Sequence, residues 1–135
     1  MRVLALDYGS ARCGCALSDP TGTIVTPIAT VESPATRRGL RTLSELVRDR
    51  EVERVVVGLP LSLSGGDTEQ TRETRAFAQR LSLRLGDGIP VEMHDERFTT
   101  RLAQRMEVPG AAFKTSEDSR AAAHLLESWL ASRSR

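Results

Sequence analysis

A short apolar run that ends in an aspartate is the feature that most restricts how this chain can fold. Four apolar residues, Val3–Leu6, lead into Asp7, and Gly9 and Arg12 follow within five positions. Such an uninterrupted run is typical of a strand that is covered on both faces of a sheet. A carboxylate at the tip of a rigid strand, beside a glycine turn and an arginine, is suited to hold a metal ion next to a phosphate. Asp and Gly are also ordinary turn residues, so the motif alone leaves its chemistry open.

Length and hydropathy restrict the class of protein. With 135 residues, we expect a single domain over residues 1–135 that buries a core of its own. No apolar run approaches the roughly 20 residues of a membrane-spanning helix. The first residues also lack the basic and apolar regions of a secretory signal. We therefore expect a cytoplasmic protein without a membrane partner.

The charged residues are nearly balanced in number but biased in type. The formal net charge is +1, and the chain has 19 basic residues, of which Lys114 is the only lysine. Arginine is well suited to bind phosphate in a bidentate manner. Genome composition produces the same bias, so the arginine content does not by itself indicate a nucleic-acid partner.

The two cysteines, Cys13 and Cys15, lie two positions apart in a predicted strand, so their side chains share one face. A structural zinc site needs about four ligands, and no second Cys or His pair has a suitable spacing. We expect both cysteines to be small buried side chains in a reducing compartment.

The hydrophobic pattern alternates between strand and helix periods along the chain. A turn at Asp19–Gly22 predicts a hairpin, and Pro27 predicts that the third strand lies at a sheet edge. The predicted strands are residues 2–7, 12–18, 23–31, 54–59 and 90–94, and the predicted helices are residues 36–50, 68–85, 99–107 and 119–131.

This order predicts an α/β fold with a five-stranded mixed sheet and helices packed on it. Three antiparallel N-terminal strands would be joined by two strands parallel to the first, through right-handed crossovers. Ligands in such sheets gather at the carboxyl ends of the parallel strands. Those ends are Asp7, the segment after Gly58, and residues 94–96.

Two further regions offer carboxylates that could join Asp7. Neighbouring strand residues point to opposite faces of the sheet, so only one of Asp95 and Glu96 is expected on the same side as Asp7. Asp118 lies on the side of the last helix that carries its apolar stripe, where an unpaired charge is costly. The alternative is a purely structural role for Asp118, as an acid that interacts favourably with the helix dipole in the first turn of a helix capped by Ser116. Three such carboxylates could hold two divalent metal ions about 4 Å apart for phosphodiester cleavage.

Four sequence blocks together give the chain a resemblance to the YqgF/RuvX family of the ribonuclease H-like superfamily, over nearly its whole length. The first and third blocks, in this order and at this chain length, are fairly specific. The blocks are Asp7-Tyr8-Gly9-Ser10-Ala11-Arg12-Cys13-Gly14, Val57-Gly58-Leu59-Pro60, Asp95-Glu96-Arg97-Phe98-Thr99-Thr100, and Asp118 followed by Ala121-Ala122.

The resemblance implies a ribonuclease H-like fold and a nuclease. Asp7, Glu96 and Asp118 match the family's acidic catalytic positions, with Glu96 preferred over Asp95, and would bind Mg²⁺ or Mn²⁺. The implied substrate is structured RNA, in 5′-end maturation of pre-16S rRNA, and the small-subunit precursor is the implied partner. The segment before Asp118 carries one basic residue, Lys114, where relatives often have several.

Candidate substrate-binding residues surround these acids. Arg97 and Arg101, at helical spacing, suit contacts to a phosphate backbone or a solvated helix face equally well. Arg12 is the better phosphate candidate because a short turn returns it towards Asp7. The full set is Gly9, Arg12, Arg97, Arg101 and Lys114.

Three rival functions remain open at this stage. A Holliday-junction resolvase-like DNA endonuclease could use the same site, and symmetric cutting of two strands would require a homodimer. A nucleic-acid-binding scaffold would bind without metal-dependent cleavage. The third rival is an ATP-handling domain like that of the sugar kinases, which also opens with a strand, an aspartate and a glycine. Sugar kinases, however, need two such domains around the nucleotide.

Overall fold

The computed structural model describes residues 1–96 and 116–133, which form a mixed five-stranded sheet between helices. The strand order is β3-β2-β1-β4-β5, with β1 antiparallel to β2, β2 antiparallel to β3, and β4 parallel to both β1 and β5. The strands are β1 Val3–Asp7, β2 Arg12–Ser18, β3 Val25–Glu32, β4 Arg54–Leu59 and β5 Val91–Asp95; the helices are α1 Arg37–Asp49, α2 Glu69–Leu85 and α3 Glu117–Arg133.

The predicted number of strands and their relative directions are confirmed, and so is the position of the third strand at an edge of the sheet. Pro27 lies in β3, an outer strand, where a missing backbone donor is tolerated. β3 begins two residues later than predicted because Asp19 Oδ1 accepts hydrogen bonds from the backbone N–H groups of Thr23 and Ile24. The predicted helix at residues 99–107 lies outside the described residues.

Side-chain alternation sends the strand residues into two separate cores. Leu4 and Leu6 of β1 face α1 and α2, where they join a cluster that contains Phe77. Val3 and Ala5 face the opposite way and pack with α3. The sheet is therefore covered on both faces, which accounts for the uninterrupted apolar runs of β1 and β4. Cys13 and Cys15 share the α1/α2 side and are fully buried, as predicted.

Hydroxyl caps begin the two helices of the first layer. Thr36 accepts a hydrogen bond from the Gly39 N–H at the start of α1. At the start of α2, the side chain of Thr68 accepts from the Thr71 N–H, and that of Thr71 accepts from the Thr68 N–H. Reciprocal capping of this kind satisfies donors that have no partner inside the helix.

Helix α3 lies very close to β2 at its first turn, and Gly14 makes this possible. A Cβ atom on Gly14 would lie 2.0 Å from the backbone oxygen of Asp118. The buried Ser119 hydroxyl accepts a hydrogen bond of 3.3 Å from the Cys15 N–H, where the β2–β3 register shifts. His124 is only 7% exposed although it is polar, because α3 is buried on more than one stripe.

None of the helices within residues 1–96 and 116–133 is both long enough and apolar enough to cross a membrane.

We expect Gly14→Ala to destabilise the protein by about 1–3 kcal/mol, because the new methyl group must push the first turn of α3 off the sheet. Urea unfolding will measure this change. Gly88→Ala is the matched control, since a Cβ atom there meets nothing within 4 Å. Equal stabilities of the two variants would contradict the close approach of α3.

Candidate active site

One row of positions crosses the α3 side of the sheet at the carboxyl end of the parallel strands. Asp7 is in this row because Val3 and Ala5, four and two positions earlier in β1, pack on that side. Gly14 is paired with Asp7 across β1 and β2. Gly58 follows Val56 on the same side of β4. The row therefore joins strands that are far apart in sequence.

The same alternation selects Glu96 over Asp95. In β5, Glu92 accepts a hydrogen bond from the Trp129 indole, and His94 Nε2 lies 3.0 Å from Ser128 Oγ, so both point towards α3. Glu96 continues this side by parity, and its carboxyl group is hydrogen-bonded to Asp7. Asp95 belongs to the alternate set, which faces α2.

Gly58 makes room for the Glu96 side chain, and the sequence analysis did not assign it this role. A Cβ atom on Gly58 would lie 2.3 Å from Glu96 Oε1. Without a side chain, β4 leaves open the space that the Glu96 carboxyl group needs to approach Asp7 from β5. The available signal was a glycine inside a β-branched central strand, which often marks a close approach.

Asp7 and Glu96 share a proton in this arrangement. Burial raises the pKa of Glu96 from its ordinary 4.5 to about 8, and the hydrogen bond and charge of Asp7 add to the rise. Burial also raises the pKa of Asp7; the hydrogen bond with Glu96 opposes that increase, and the charge of Asp118 adds to it. These directions assign the proton to Glu96, which donates to the Asp7 carboxylate.

Asp118 is paired with Arg12. The Arg12 Nε donates to Asp118 Oδ2 over 2.8 Å, and the two side chains are 59% and 41% exposed. An unpaired charge on this side of α3 would be costly, and the ion pair with Arg12 removes that cost. The backbone of Asp118 packs on β2 at Gly14, while its carboxylate is neutralised and partly in solvent.

The three acids offer oxygen ligands of the kind that Mg²⁺ and Mn²⁺ prefer. In residues 1–96 and 116–133, no three Asp, Glu, His or Cys side chains are close enough to enclose a metal ion. The proton on Glu96 and the Arg12 guanidinium instead compensate the negative charge. Divalent cations can replace both forms of compensation, so the donor set fits such ions.

The other predicted site residues divide into two groups. Gly9 allows a tight turn between β1 and β2, since a Cβ atom there would lie 2.7 Å from the Arg12 backbone oxygen. Arg97, Arg101 and Lys114 lie outside the residues that the structure describes. Tyr8, to which the sequence analysis gave no role, stacks on Phe77 on the other face of the sheet, with ring centroids 4.4 Å apart.

In the absence of a cation, we expect the free energy of unfolding to fall as the pH rises from 4.5 to about 8. Folded protein retains a proton on Glu96 that the unfolded chain has already released, so the loss reaches up to about 1.4 kcal/mol per pH unit. Glu96→Gln should show a shallower dependence. Urea titrations in EDTA at several pH values will measure it.

Glu45→Gln, an exposed substitution on α1, is the control for this experiment and should follow the wild-type curve. Parallel curves for the wild type and Glu96→Gln would contradict the shared proton.

A family model and individual relatives assign this chain to the same family. The model of the family described as "RuvX: Holliday junction resolvase" matches residues 1–132. A relative from Corynebacterium jeikeium is 38% identical over 99% of this chain and 88% of its own length. A relative from Maridesulfovibrio salexigens is 37% identical over 97% of this chain and 98% of its own length. Both bear the name "Putative pre-16S rRNA nuclease".

Solved structures support the fold. T. thermophilus RuvC, in complex with a Holliday junction substrate, has a TM-score of 0.66 at 14% identity, with 99% of this chain and 96% of that chain covered. The Fowlpox virus resolvase, in complex with Holliday junction DNA, has a TM-score of 0.62 at 13% identity, with both chains covered completely. The predicted ribonuclease H-like fold is thereby confirmed. Because the family model spans almost the whole sequence and the relatives are similar over nearly their full length, this chain belongs to the RuvX family.

Proposed function

We propose that this protein is a divalent-metal-dependent nuclease that hydrolyses phosphodiester bonds of structured RNA, in 5′-end maturation of pre-16S rRNA. The observation that carries the proposal is the partly buried hydrogen bond between Asp7 and Glu96, at the carboxyl end of the parallel strands and beside Asp118. Acids from separate elements converge there at an energetic cost, which is typical of a functional site. The names of the relatives support the choice of substrate.

Asp7, Glu96 and Asp118 are the proposed catalytic and metal-binding residues. Bound Mg²⁺ or Mn²⁺ would supply an activated water and stabilise the leaving oxygen of the cleaved bond. For its carboxylate to act as a ligand, Glu96 must release the proton that it holds against Asp7. Gly58 keeps the path between these two carboxyl groups open.

Arg12 has two competing partners in this proposal. Its guanidinium is bound to Asp118, and both side chains are partly accessible to solvent, so the pair can exchange. Once Asp118 acts as a metal ligand, the guanidinium is available to bind a substrate phosphate oxygen. Arg12 would thus bind the substrate only when the acidic site is loaded.

The proposal includes the remaining predictions from the sequence. It takes residues 1–135 as one nuclease domain in the cytoplasm, with the ribosomal small-subunit precursor as its partner. Gly9 shapes the substrate-binding turn beside Asp7. Arg97, Arg101 and Lys114 are proposed contacts to the RNA backbone on the strength of their sequence positions.

Cleavage of branched DNA is the second candidate function, because the matching family model is described as a Holliday junction resolvase. A panel of labelled substrates with and without Mn²⁺ separates the two: a structured RNA with pre-16S 5′ sequence, single-stranded DNA and a four-way junction. Metal-dependent cleavage of RNA alone supports the proposal. Symmetric cleavage of the junction by a homodimer would replace it, and binding without cleavage would indicate a scaffold.

We expect Glu96→Gln and Asp7→Asn each to lower Mn²⁺-dependent RNA cleavage by at least about 100-fold, because a lost ligand weakens metal binding and charge stabilisation together. Rates from gel assays on folded protein will measure this loss. Asp95→Asn is the matched control, since it changes the adjacent acid, which faces α2 instead of Asp7. An equal loss in Asp95→Asn would contradict the assignment.

We expect Arg12→Gln to bind Mn²⁺ more tightly than the wild type in the absence of RNA, by up to about fivefold, because an exposed ion pair contributes up to about 1 kcal/mol. Its affinity for RNA in the presence of Mn²⁺ should fall. Calorimetric Mn²⁺ titration measures the first effect. The control is Arg75→Gln, which removes a similarly exposed pair with Asp67 and should leave Mn²⁺ affinity unchanged. Unchanged or weaker Mn²⁺ binding by Arg12→Gln would refute the exchange.

A further inference from the structure

Charge is segregated along α1 and the turn before it. Residues 33–44 contain three arginines and no acid, whereas residues 45–49, the rest of α1, contain two acids and one arginine. The three arginines Arg37, Arg38 and Arg41 are named here the α1 arginine cluster. Their positions, three and four apart, bring Arg41 next to both of the others on the helix surface.

The α1 arginine cluster has no internal compensation. All three side chains are exposed, and the described part of the chain gives none of them an ion pair or a side-chain hydrogen bond. Two arginines elsewhere do have such partners: Arg54 pairs with Glu92, and Arg75 pairs with Asp67. Like charges at these spacings destabilise a helix slightly.

Helix stability does not account for the cluster. The first turn of α1 contains no acidic residue, although an acid there would interact favourably with the helix dipole. Arg37 and Arg38 occupy that turn instead. A function outside the helix is therefore the better explanation for three uncompensated arginines at this end.

The cluster lies at the same edge of the sheet as the acids. β3 ends opposite Arg12, and the Ser33 N–H then donates to the backbone oxygen of Ala11, in the turn that follows Asp7. α1 packs tightly on this connection, since a Cβ atom on Gly39 would lie 2.2 Å from the Ser33 backbone oxygen. The start of α1 is thus held directly beside the Asp7–Arg12 turn.

The other end of α1 lies at the opposite edge. The backbone oxygen of Arg50, at the C-terminus of α1, accepts a hydrogen bond from Arg2, which precedes β1. The mixed-charge half of the helix is therefore far from the acids, while the purely basic half adjoins them. Because α1 and α3 cover different faces of the sheet, the cluster and the acids lie on opposite sides of one edge.

We infer that the α1 arginine cluster binds the phosphate backbone of the RNA substrate where it passes over this edge, away from the cleaved bond. The inference rests on the proposed nuclease function and adds a binding surface on the α1 face to it. Accessible guanidinium groups suit contacts to phosphates and carry no sequence preference. Such contacts would orient a structured RNA across the edge, with the cleaved bond at the acids.

Salt dependence of RNA binding tests the inference. The probe is a fluorescent RNA hairpin with single-stranded flanks, and anisotropy is measured in EDTA from about 50 to 200 mM NaCl. The logarithm of the binding constant falls as the logarithm of the salt concentration rises. Each lost phosphate contact makes this slope less steep by about 0.7–0.9. We expect the triple variant Arg37→Gln/Arg38→Gln/Arg41→Gln to lose about 2–3 from this slope.

A charge-matched control, Arg48→Gln/Arg50→Gln/Arg84→Gln, removes two arginines at the C-terminal end of α1 and one in the last turn of α2. This variant has the same net charge as the cluster variant, and its slope should stay close to that of the wild type. Equal slopes in the wild type and the cluster variant would overturn the inference. An equal loss in the control would also overturn it, because net charge alone would then explain the effect.

A triple lysine variant separates the effect of lost charge from the effect of structural damage. Arg37→Lys/Arg38→Lys/Arg41→Lys keeps the three charges and should retain most of the wild-type slope. If this variant loses the slope as fully as the glutamine variant, the cluster acts by another route and the inference fails.

Mn²⁺-dependent cleavage of the same hairpin, assayed separately, distinguishes this inference from the proposed function. Cleavage by the wild type with an unchanged slope in the cluster variant would leave the nuclease and remove the binding surface. A reduced slope without cleavage by the wild type would leave an RNA-binding surface and refute the nuclease.

Discussion

The hydrogen bond between Asp7 and Glu96 is the interaction on which the rest of the site depends. Two carboxyl groups from different strands meet in a partly buried position, and burial holds the pKa of Glu96 at about 8. Such a pair is stable without a cation only because one proton is shared between them. The sheet keeps this arrangement in place, since β4 lies between β1 and β5 and fixes the spacing of both strands.

Close approach at two glycines permits this convergence. Gly58 leaves β4 without a side chain where the Glu96 carboxyl group must lie, and Gly14 lets the first turn of α3 contact β2. α3 in turn carries Asp118, which Arg12 neutralises. The acids and Arg12 thus lie on the α3 side of the edge, and the α1 arginine cluster adjoins the same edge from the other side.

Much of this fold was predictable because hydrophobic period and turn chemistry are local properties. The strands, the hairpin at Asp19 and the edge position of Pro27 all follow from residues close in sequence. The candidate acids were also found from local patterns. The ion-pair partner of Asp118 was not found in this way, because Arg12 is 106 positions away. Periodicity within one helix cannot reveal such a partner.

The sequence by itself determined that an aspartate ends the first strand, that acids follow the last strand and begin the last helix, and that the strands form a mixed sheet. These are consequences of chain order and residue type. The resemblance already preferred Glu96 over Asp95, and only the tertiary structure decided that the Glu96 carboxyl group bonds to Asp7, that Gly58 must lack a side chain, and that Arg12 neutralises Asp118. The reason is physical: burial, charge compensation and steric room depend on which surfaces meet, and the chain establishes those contacts only when it folds.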